Sequence, residues 1–343
     1  MTATTSARRP VRVLFLGSRP SPSWSPWGMD IMRAVGRSHD ISMVDPTRPM
    51  LDQVADPTVE VIIDHLMQAS PELAAAAAGH VRLWQLGSVG YDKIDVASLG
   101  REGVPVANCP GSSSARGLAE HALTLAMLVL RQFGELQAVV REGSLVAPSG
   151  RQLVGRTLLI IGFGASARAL ATRATAMGMR VVAVQRRGAD PDLERRYGLS
   201  RLDGMASLDA LLPGADVVSL HIPYSAETRH ILDRRRLWLM PAGSVVVNVS
   251  RGGLIDEVAL AEAIQEGRIS GAGLDVVEGE PAGPDHPLWD MPEVIITPHI
   301  AGATQATSRR RARFAAHNVS RVGAGLAPLS FIAPLSLIVP PGG

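Results

Sequence analysis

The stretch Thr157-Leu-Leu-Ile-Ile-Gly-Phe-Gly-Ala-Ser-Ala167 decides the fold. Its short aliphatic run predicts a buried strand, and the alanine-rich residues that follow predict a helix. Gly162 and Gly164 permit a tight turn between the two and a close approach of the backbone to a pyrophosphate, while Ala167 still lets the helix pack closely on the strand. The stretch therefore predicts a dinucleotide-binding βα unit.

Short strands and helices alternate on both sides of this unit, which favours parallel βαβ architecture. Strands are predicted at 11–16, 59–64, 81–85, 104–108, 180–185, 216–220, 244–248, 272–275 and 294–296. Helices are predicted at 29–36, 71–79, 115–141, 165–177, 257–266 and 304–322, with Ser207 capping a further short helix. Arginines 309, 310, 311, 313 and 321 in the last helix are interpreted as a solvated face rather than an RNA-binding arm.

Composition excludes several chemistries. The 343 residues suggest about two domains, and a net charge of +2 does not favour a nucleic-acid binder. The single cysteine, Cys109, excludes an intrachain disulfide and a multi-cysteine metal site, and we expect no metal. No targeting or membrane segment is recognised, so we expect a cytoplasmic chain with neither membrane nor nucleic acid as a partner. Lys93 is the one lysine among 34 basic residues, so cationic chemistry must use arginine.

The strand after the glycine turn ends in Gln185-Arg186-Arg187. An acidic residue at this place would hold the ribose hydroxyls of NAD, and none is present. Two guanidinium groups suit the 2′-phosphate of NADP instead. We therefore expect NADP to be preferred, with NAD possible. The alternative is that these arginines are ordinary surface residues in an arginine-rich chain.

Three predicted strand ends supply Arg251, Glu280 and His299. Reduction of a 2-oxo acid needs such a set: a guanidinium for the carboxylate, an imidazolium to protonate the carbonyl oxygen, and a carboxylate that orients the imidazole. Each residue also has a purely structural interpretation. His221, His286 and Glu278 are rival candidates.

Residues 153–304 closely resemble the NAD(P)-binding domain of the D-isomer-specific 2-hydroxyacid dehydrogenase family, which includes phosphoglycerate dehydrogenases and glyoxylate/hydroxypyruvate reductases. Besides the glycine turn, the matching motifs are His221-Ile-Pro-Tyr-Ser-Ala-Glu-Thr228, Asn248-Val-Ser-Arg-Gly-Gly-Leu-Ile-Asp-Glu257, Gly273-Leu-Asp-Val-Val-Glu-Gly-Glu-Pro281 and Thr297-Pro-His-Ile-Ala-Gly302. The resemblance extends upstream through Gln85-Leu-Gly-Ser-Val-Gly-Tyr-Asp92 and Leu118-Ala-Glu-His-Ala122, and it weakens before about residue 80.

The resemblance implies an α/β fold of two doubly wound, parallel-sheet, Rossmann-like domains, with the cofactor domain inserted in the substrate domain. The flavodoxin-like substrate domain would comprise 1–112 and 303–343, and the NAD(P)-binding Rossmann domain 113–302. Family members are usually dimers, so we expect a homodimer built partly on the helix at 115–141.

The resemblance also implies roles for residues at matching motif positions. Arg251 would anchor the substrate carboxylate and carbonyl, and His299 would be the general acid–base, with Glu280 as its partner. The residues implied to bind the cofactor are Gly162, Gly164, Ala165, Ser166, Gln185, Arg186, Arg187, His221, Ile222, Pro223, Thr228, Val249, Ser250, Asp275, Ala301 and Gly302. The loop Ser88, Val89 and Gly90 would hold the substrate carboxylate.

Two departures from the family pattern stand out. The family commonly has an asparagine near Ser114, which puts the hinge contacts in doubt, and Ala165-Ser166 replaces a bulkier pair that ends in isoleucine. Neither departure touches the predicted catalytic residues.

We therefore expect an NAD(P)-dependent dehydrogenase that interconverts a small anionic 2-oxo acid and its D-2-hydroxy acid. Arg19, with Trp24 or Trp27, is a candidate for binding a second anionic group on the substrate, and Asp64-His65 for lining the same cleft. The alternative for Arg19 is a solvated arginine in a proline-rich loop. Alternatives for the whole chain are a non-catalytic dinucleotide sensor and a dehydrogenase of phosphite- or formate-type anions.

Overall fold

The structure, a computed structural model, describes residues 9–17, 26–146 and 148–332. The chain divides into two compact units, residues 1–113 with 303–343 and residues 114–302. Each unit contains one sheet in which every pair of neighbouring strands is parallel. This confirms the predicted fold class of two doubly wound α/β domains.

The first unit is built on five strands in the order β2-β1-β3-β4-β5, which is the flavodoxin-like order. Its strands are β1 Arg12–Leu16, β2 Asp40–Met43, β3 Val61–Asp64, β4 Leu83–Leu86 and β5 Val106–Ala107. Its helices are α1 Trp27–Val35, α2 Met50–Val54, α3 Pro71–Ala77, α4 Val96–Arg101 and, from the end of the chain, α12 Gln305–Gly323.

The second unit is built on seven strands in the order β12-β11-β10-β9-β6-β7-β8. The strands are β6 Thr157–Ile161, β7 Arg180–Gln185, β8 Arg201–Gly204, β9 Val217–Leu220, β10 Ser244–Asn248, β11 Ile269–Leu274 and β12 Val294–Ile296. The helices are α5 Ala115–Leu130, α6 Phe133–Arg141, α7 Ala165–Ala176, α8 Pro191–Tyr197, α9 Leu208–Leu211, α10 Arg234–Leu239 and α11 Glu257–Gln265. The chain reverses its direction of strand addition between β6 and β9, so ligands are expected at their carboxyl ends.

Strand β6 shows why the sequence of this sheet is apolar throughout. Leu159 and Ile161 point into one hydrophobic cluster, and Leu158 and Ile160 point into a second cluster on the opposite face. A parallel sheet covered by helices on both faces buries every side chain of a central strand, and the alternation of polar and apolar residues is lost.

The prediction of one helix over 115–141 was wrong. Helix α5 ends at Leu130, α6 begins at Phe133, and the two are bent by 57°. Gln132 between them has φ +53°, in the left-handed region, and the backbone N–H of Arg151 donates to the Leu130 carbonyl at 2.8 Å. A Cβ at Gly134 would lie 2.2 Å from the Pro292 carbonyl oxygen. The break is therefore set by tertiary contacts, which local helical periodicity does not show.

Several short elements were not predicted. Strands β2 and β8 lie at sheet edges, where burial is partial and the apolar signal is weak. Ser207 does precede a short helix, α9, but its side chain makes no capping hydrogen bond.

The apolar helices α5 and α6 can be compared with the requirements of a membrane-spanning helix. In the described part of the chain no single helix has the length and hydropathy to cross a bilayer, whereas α5 and α6 taken together pass that test despite their 57° bend.

Candidate active site

The turn between β6 and α7 has the geometry that a dinucleotide needs. Gly162 has φ +93°, and a Cβ there would lie 2.4 Å from Ile222 Cγ2 and 2.6 Å from the His221 carbonyl oxygen. Gly164 caps α7 without any side-chain hydrogen bond, so the N–H groups of the first helical turn, which begins with Ala165 and Ser166, face outward for an anion. The turn therefore fits a pyrophosphate at the switch point of the sheet.

His221, at the end of β9, is buried between two serines. Its Nδ1 lies 3.0 Å from Ser166 Oγ, and its Nε2 lies 3.0 Å from Ser219 Oγ. Burial lowers the pKa of His221 to about 4, so the ring is neutral at neutral pH. His221 therefore contacts the glycine turn through Ser166, and its buried, neutral ring does not suit the general-acid role that the sequence predicted for His299.

The loop after β9 contains Ile222, Pro223 and Thr228. Thr228 Oγ1 donates to the Pro223 carbonyl at 2.9 Å and accepts from the backbone N–H of Ser225 at 2.8 Å. These bonds hold the loop beside Gly162, where the Ile222 side chain is already in contact with the turn.

At the end of β7, Gln185 is buried and its Nε2 donates to the Gly188 carbonyl at 2.8 Å. Arg186 and Arg187 follow and are exposed. Among the residues that the structure describes, no carboxylate pairs with either arginine; Asp203 on the neighbouring strand β8 pairs with Arg201 at 2.7 Å instead. The two guanidinium groups are thus available to an anionic ligand at this edge.

The residues proposed for catalysis follow three adjacent strands, β10, β11 and β12. His299 Nδ1 lies 2.8 Å from Glu280 Oε2, and Glu280 Oε1 accepts from the backbone N–H of Val277 at 3.1 Å. Because an ionised carboxylate can only accept a hydrogen bond, His299 Nδ1 must carry the proton that it donates to Glu280. His299 Nε2 is then the ring atom that can contact a substrate. The His299 side chain is 48% exposed, so a ligand can reach it.

Arg251 is positioned by a buried asparagine. Asn248, fully buried at the end of β10, donates to the Arg251 carbonyl at 2.8 Å and accepts from the Ser250 N–H at 3.0 Å. Ser250 Oγ donates to the Leu220 carbonyl at 2.8 Å, and the side chain of Val249 between them is buried. Gly252 follows, where a Cβ would lie 1.9 Å from the Val277 carbonyl carbon. This backbone crossing places the loops that carry Arg251 and Glu280 against each other.

Asp275 is the residue that fixes the His299 loop. Its carboxylate accepts from Thr297 Oγ1 at 2.6 Å, from the Ile300 N–H at 2.8 Å and from the Ala301 N–H at 2.7 Å, and its carbonyl accepts from the His299 N–H. Burial acts to raise the pKa of Asp275, but these bonds and one from His121 outweigh it and lower the pKa. Gly302 follows at the end of the clamped segment, at the boundary of the second unit.

No role was assigned from the sequence to Thr297 and His121, two side chains that form hydrogen bonds with the Asp275 carboxylate. His121 of α5 lies 2.8 Å from Thr297 Oγ1 and 3.4 Å from Asp275 Oδ1. Its position in the motif Leu118-Ala-Glu-His-Ala122 was a signal, but the spacing along the chain does not show that α5 packs on β11.

The rival candidates are engaged elsewhere. His286 Nε2 lies 2.7 Å from Glu257 Oε2, in the interior of the second unit. Glu278 pairs with Arg229 at 3.3 Å and with His230 at 3.2 Å. Neither forms the pair that His299 and Glu280 form.

In the first unit, the loop after β4 presents its N–H groups. The Ser88 carbonyl accepts from the Cys109 N–H at 2.8 Å, the Val89 carbonyl from Asn108 Nδ2 at 2.6 Å, and the Gly90 carbonyl from Ser88 Oγ at 2.7 Å. Within the described residues, no backbone carbonyl accepts from the N–H groups of Ser88, Val89 or Gly90. The loop thus turns its carbonyls inward and keeps three donors for a ligand.

Other predicted residues of the first unit have different surroundings. Asp64 is fully buried and accepts from the Gln68 N–H at 2.8 Å and from Trp84 Nε1 at 3.2 Å, so it does not line a cleft. His65 stacks on Phe15 with ring centroids 6.0 Å apart, and its Nδ1 is buried. Arg19 and Trp24 lie outside the described residues.

The parallel seven-stranded sheet with its glycine turn at the switch point defines a dinucleotide-binding α/β protein, and the His–Glu pair with a nearby arginine adds the groups of an oxidoreductase. Residues 123–301 match the model of the D-isomer specific 2-hydroxyacid dehydrogenase NAD-binding domain.

Comparison with known proteins agrees with this class. The chain is 36% identical over 276 residues to a glyoxylate reductase of Korarchaeum cryptofilum, which covers 78% of this chain and 80% of that protein. It is 34% identical over 258 residues to a hydroxypyruvate reductase of Thermotoga maritima, covering 74% and 81% respectively. Among solved structures, D-lactate dehydrogenase of Aquifex aeolicus, complexed with NAD and lactic acid, is 27% identical, with a TM-score of 0.75 and coverage of 91% and 96%.

The chain belongs to the D-isomer specific 2-hydroxyacid dehydrogenase family. It is an NAD(P)-dependent oxidoreductase that transfers a hydride between a nicotinamide dinucleotide and a 2-oxo or 2-hydroxy acid.

The buried, neutral state of His221 makes stability depend on pH. Between pH 6.5 and about 4 the unfolded chain binds a proton at His221 that the native protein excludes, so the free energy of unfolding falls as pH decreases. At pH 5 the loss attributable to this residue is about 2 kcal/mol. Urea denaturation at pH 7.5 and pH 5 measures the free energy of unfolding of wild type and of His221→Gln. The variant should lose less of this free energy on acidification.

His317→Gln, on the exposed part of α12, is the matched control for removing one histidine. If wild type and His221→Gln lose equal stability between the two pH values, the lowered pKa of His221 is not the cause of the loss.

Proposed function

We propose that this enzyme reduces a small 2-oxo acid to its D-2-hydroxy acid and prefers NADPH. The observation that carries the chemistry is the His299–Glu280 pair, whose Nδ1–Oε2 distance is 2.8 Å on a partly exposed imidazole. Relatives named glyoxylate reductase and hydroxypyruvate reductase support glyoxylate and hydroxypyruvate as the first substrates to test.

Each group has one task in this reaction. Arg251, at the end of β10, would bind the substrate carboxylate. The β6–α7 turn would hold a nicotinamide dinucleotide, which would supply the hydride for the carbonyl carbon. His299 donates the proton from Nε2 to the carbonyl oxygen as the C=O bond becomes C–OH, and Glu280 stabilises the imidazolium that precedes this transfer.

Replacement of His299 tests the enzymatic role. His299→Asn should lower kcat for glyoxylate by about 100- to 10,000-fold, because the proton donor is lost, while NADPH still binds at the β6–α7 turn. Steady-state NADPH oxidation and quenching of the intrinsic protein fluorescence by NADPH measure the two effects. Glu280→Gln should lower kcat less and shift the pH profile of kcat/KM.

Wild-type protein that binds NADPH but turns over no 2-oxo acid would instead support a sensor. Turnover of phosphite or formate with NADP, and of no 2-oxo acid, would support a dehydrogenase of those anions.

The NADPH preference rests on the exposed Arg186 and Arg187 after β7, which have no carboxylate partner within the described residues. A guanidinium binds a phosphate bidentately, whereas the hydroxyl of NADH offers it no negative charge. The glycine turn serves both dinucleotides alike, so these two residues would account for the discrimination.

The double variant Arg186→Ala/Arg187→Ala should lower kcat/KM for NADPH by about 10- to 100-fold and change that for NADH by less than about threefold. Arg195→Ala, an exposed arginine of α8 that pairs with Asp192, is the matched control for loss of surface charge. An unchanged ratio of the two kcat/KM values in the double variant would contradict the preference.

We also propose a homodimer that uses α6 and the segment after it. Helix α6 has no buried residue, and large apolar side chains are exposed along this region: Met127, Phe133, Val140, Leu145 and Val146. A second copy of the chain is the partner that the family resemblance supports, and it would cover these residues.

Phe133→Glu combined with Val140→Glu should convert the dimer to monomer, because each substitution places a carboxylate in the apolar contact. Sedimentation velocity measures the change. Val258→Glu, at an exposed valine of α11, is the control that should leave the dimer intact. A wild-type monomer would contradict the proposal.

A further inference from the structure

Arg311 of α12 does not lie on a solvated helix face, so that prediction was wrong for this arginine. It is spaced three or four residues from Thr307, Ser308 and Ala315, all buried, and it is followed by buried Ala312. Its guanidinium packs over the Trp27 ring at 4.7 Å from the centroid. The chain therefore places an arginine on the buried stripe of a helix.

One nitrogen of the guanidinium lacks a hydrogen-bond partner among the residues that the structure describes. Its Nε is buried and has no hydrogen-bond partner within the described residues. Burial lowers the pKa of Arg311, and no carboxylate in the described part of the chain forms an ion pair with it. A half-buried charge without a counter-ion is less well solvated than a surface charge, which makes Arg311 a candidate for binding an anionic ligand.

The surroundings of Arg311 lie at the ligand-binding edge of the first sheet. Burial lowers the pKa of His65, which follows β3, and the Arg311 charge lowers it further. Burial raises the pKa of the Cys109 thiol, which follows β5, to about 12, and the Arg311 charge opposes that rise. A Cβ at Gly87, which follows β4, would lie 3.0 Å from His65 Nδ1. Ligands of open parallel sheets bind at the carboxyl ends of the strands, and this is the edge that carries the Ser88–Gly90 loop.

His65 Nδ1 is a second buried polar atom without a hydrogen-bond partner in the described chain. A buried polar atom that is left unpaired costs free energy unless a ligand or water satisfies it. Arg311 and His65 thus offer donors on one edge of the first unit, beside a loop whose three free N–H groups suit a carboxylate.

We propose that Arg311, assisted by His65, binds a second anionic group, a carboxylate or a phosphate, at the far end of the 2-oxo acid. This inference rests on the proposed function, and it makes Arg311 a specificity-determining residue. The enzyme would then prefer dianionic 2-oxo acids over glyoxylate.

The test compares Arg311→Met with wild type on a panel of 2-oxo acids, using NADPH oxidation. The panel contains glyoxylate and hydroxypyruvate with one anionic group, oxaloacetate and 2-oxoglutarate with a second carboxylate, and 3-phosphohydroxypyruvate with a phosphate. We expect kcat/KM for the preferred dianionic acid to fall about 10- to 100-fold, mainly through KM, and that for glyoxylate to change by less than about threefold. Whether a dicarboxylate or the phosphate ester shows the larger fall identifies the anion.

Two further variants separate ligand binding from a structural role. Arg311→Lys keeps the charge but loses the bidentate fork, so it should recover part of the lost kcat/KM. Arg309→Met, at an exposed arginine two residues earlier in the same helix, should behave as wild type. Equal losses for all substrates in Arg311→Met, or no loss for any, would overturn the inference.

The failure of this inference is distinguishable from failure of the proposed function. Wild-type turnover of glyoxylate without any preference for a dianionic acid overturns the role of Arg311 and leaves the reductase intact. If wild type reduces none of these acids, calorimetric titration of 2-oxoglutarate and 3-phosphohydroxypyruvate into wild type and Arg311→Met tests whether Arg311 binds the anionic group. Weaker binding to the variant supports the anion site, and equal or undetectable binding overturns it.

Discussion

The buried carboxylate of Asp275 is the constraint on which the catalytic edge of the second unit depends. Only 1% of its side chain is exposed, yet it accepts hydrogen bonds from Thr297 and from two backbone N–H groups of the following loop. A carboxylate buried without such donors would cost several kcal/mol, on the order of the penalty for an unpaired buried charge, or would become protonated. The loop therefore closes around the charge in one conformation. His299 takes φ +53° within it, a conformation that persists only where the surroundings determine it.

The cost of burying a charge also distinguishes two histidines that follow different strands of the seven-stranded sheet, His221 after β9 and His299 after β12. His221 is enclosed by Ser166 and Ser219, which accept or donate without bearing charge, so burial dominates and the ring stays neutral. His299 has a carboxylate on Nδ1 and solvent access, so a protonated ring there has a counter-charge. The environment of each ring, rather than its residue type, keeps His221 neutral behind the glycine turn and supports the proton-transfer role proposed for His299.

The parts of the fold and site that the sequence predicted are those determined locally. The turn at Gly162 needs a glycine because of its own φ and its immediate neighbours, and strand ends carry their polar residues in consecutive positions, so both leave a signal in a short window. The bond between His121 and Thr297 joins residues 176 apart, and the bend at Gln132 depends on the distant Pro292 and Arg151. Arg311 was assigned to solvent by residue type, although the small and apolar residues spaced around it mark the buried stripe. Contacts distant in sequence decided each of these cases.

The proposed roles of the residues differ in which part of a 2-oxo acid each can distinguish. In the proposed function, Arg251, Glu280 and His299 act on the carboxylate and carbonyl that every 2-oxo acid has, so these three residues would not select among such acids. Selection must come from groups that meet the variable end of the molecule. In the first unit, where the resemblance to the family is weakest before about residue 80, the strand ends bring together His65, Trp27 and the Arg311 guanidinium, which lacks a carboxylate partner among the described residues. A charge that the fold half-buries without a counter-ion reduces stability, and a ligand that supplies an anion recovers part of that free energy on binding.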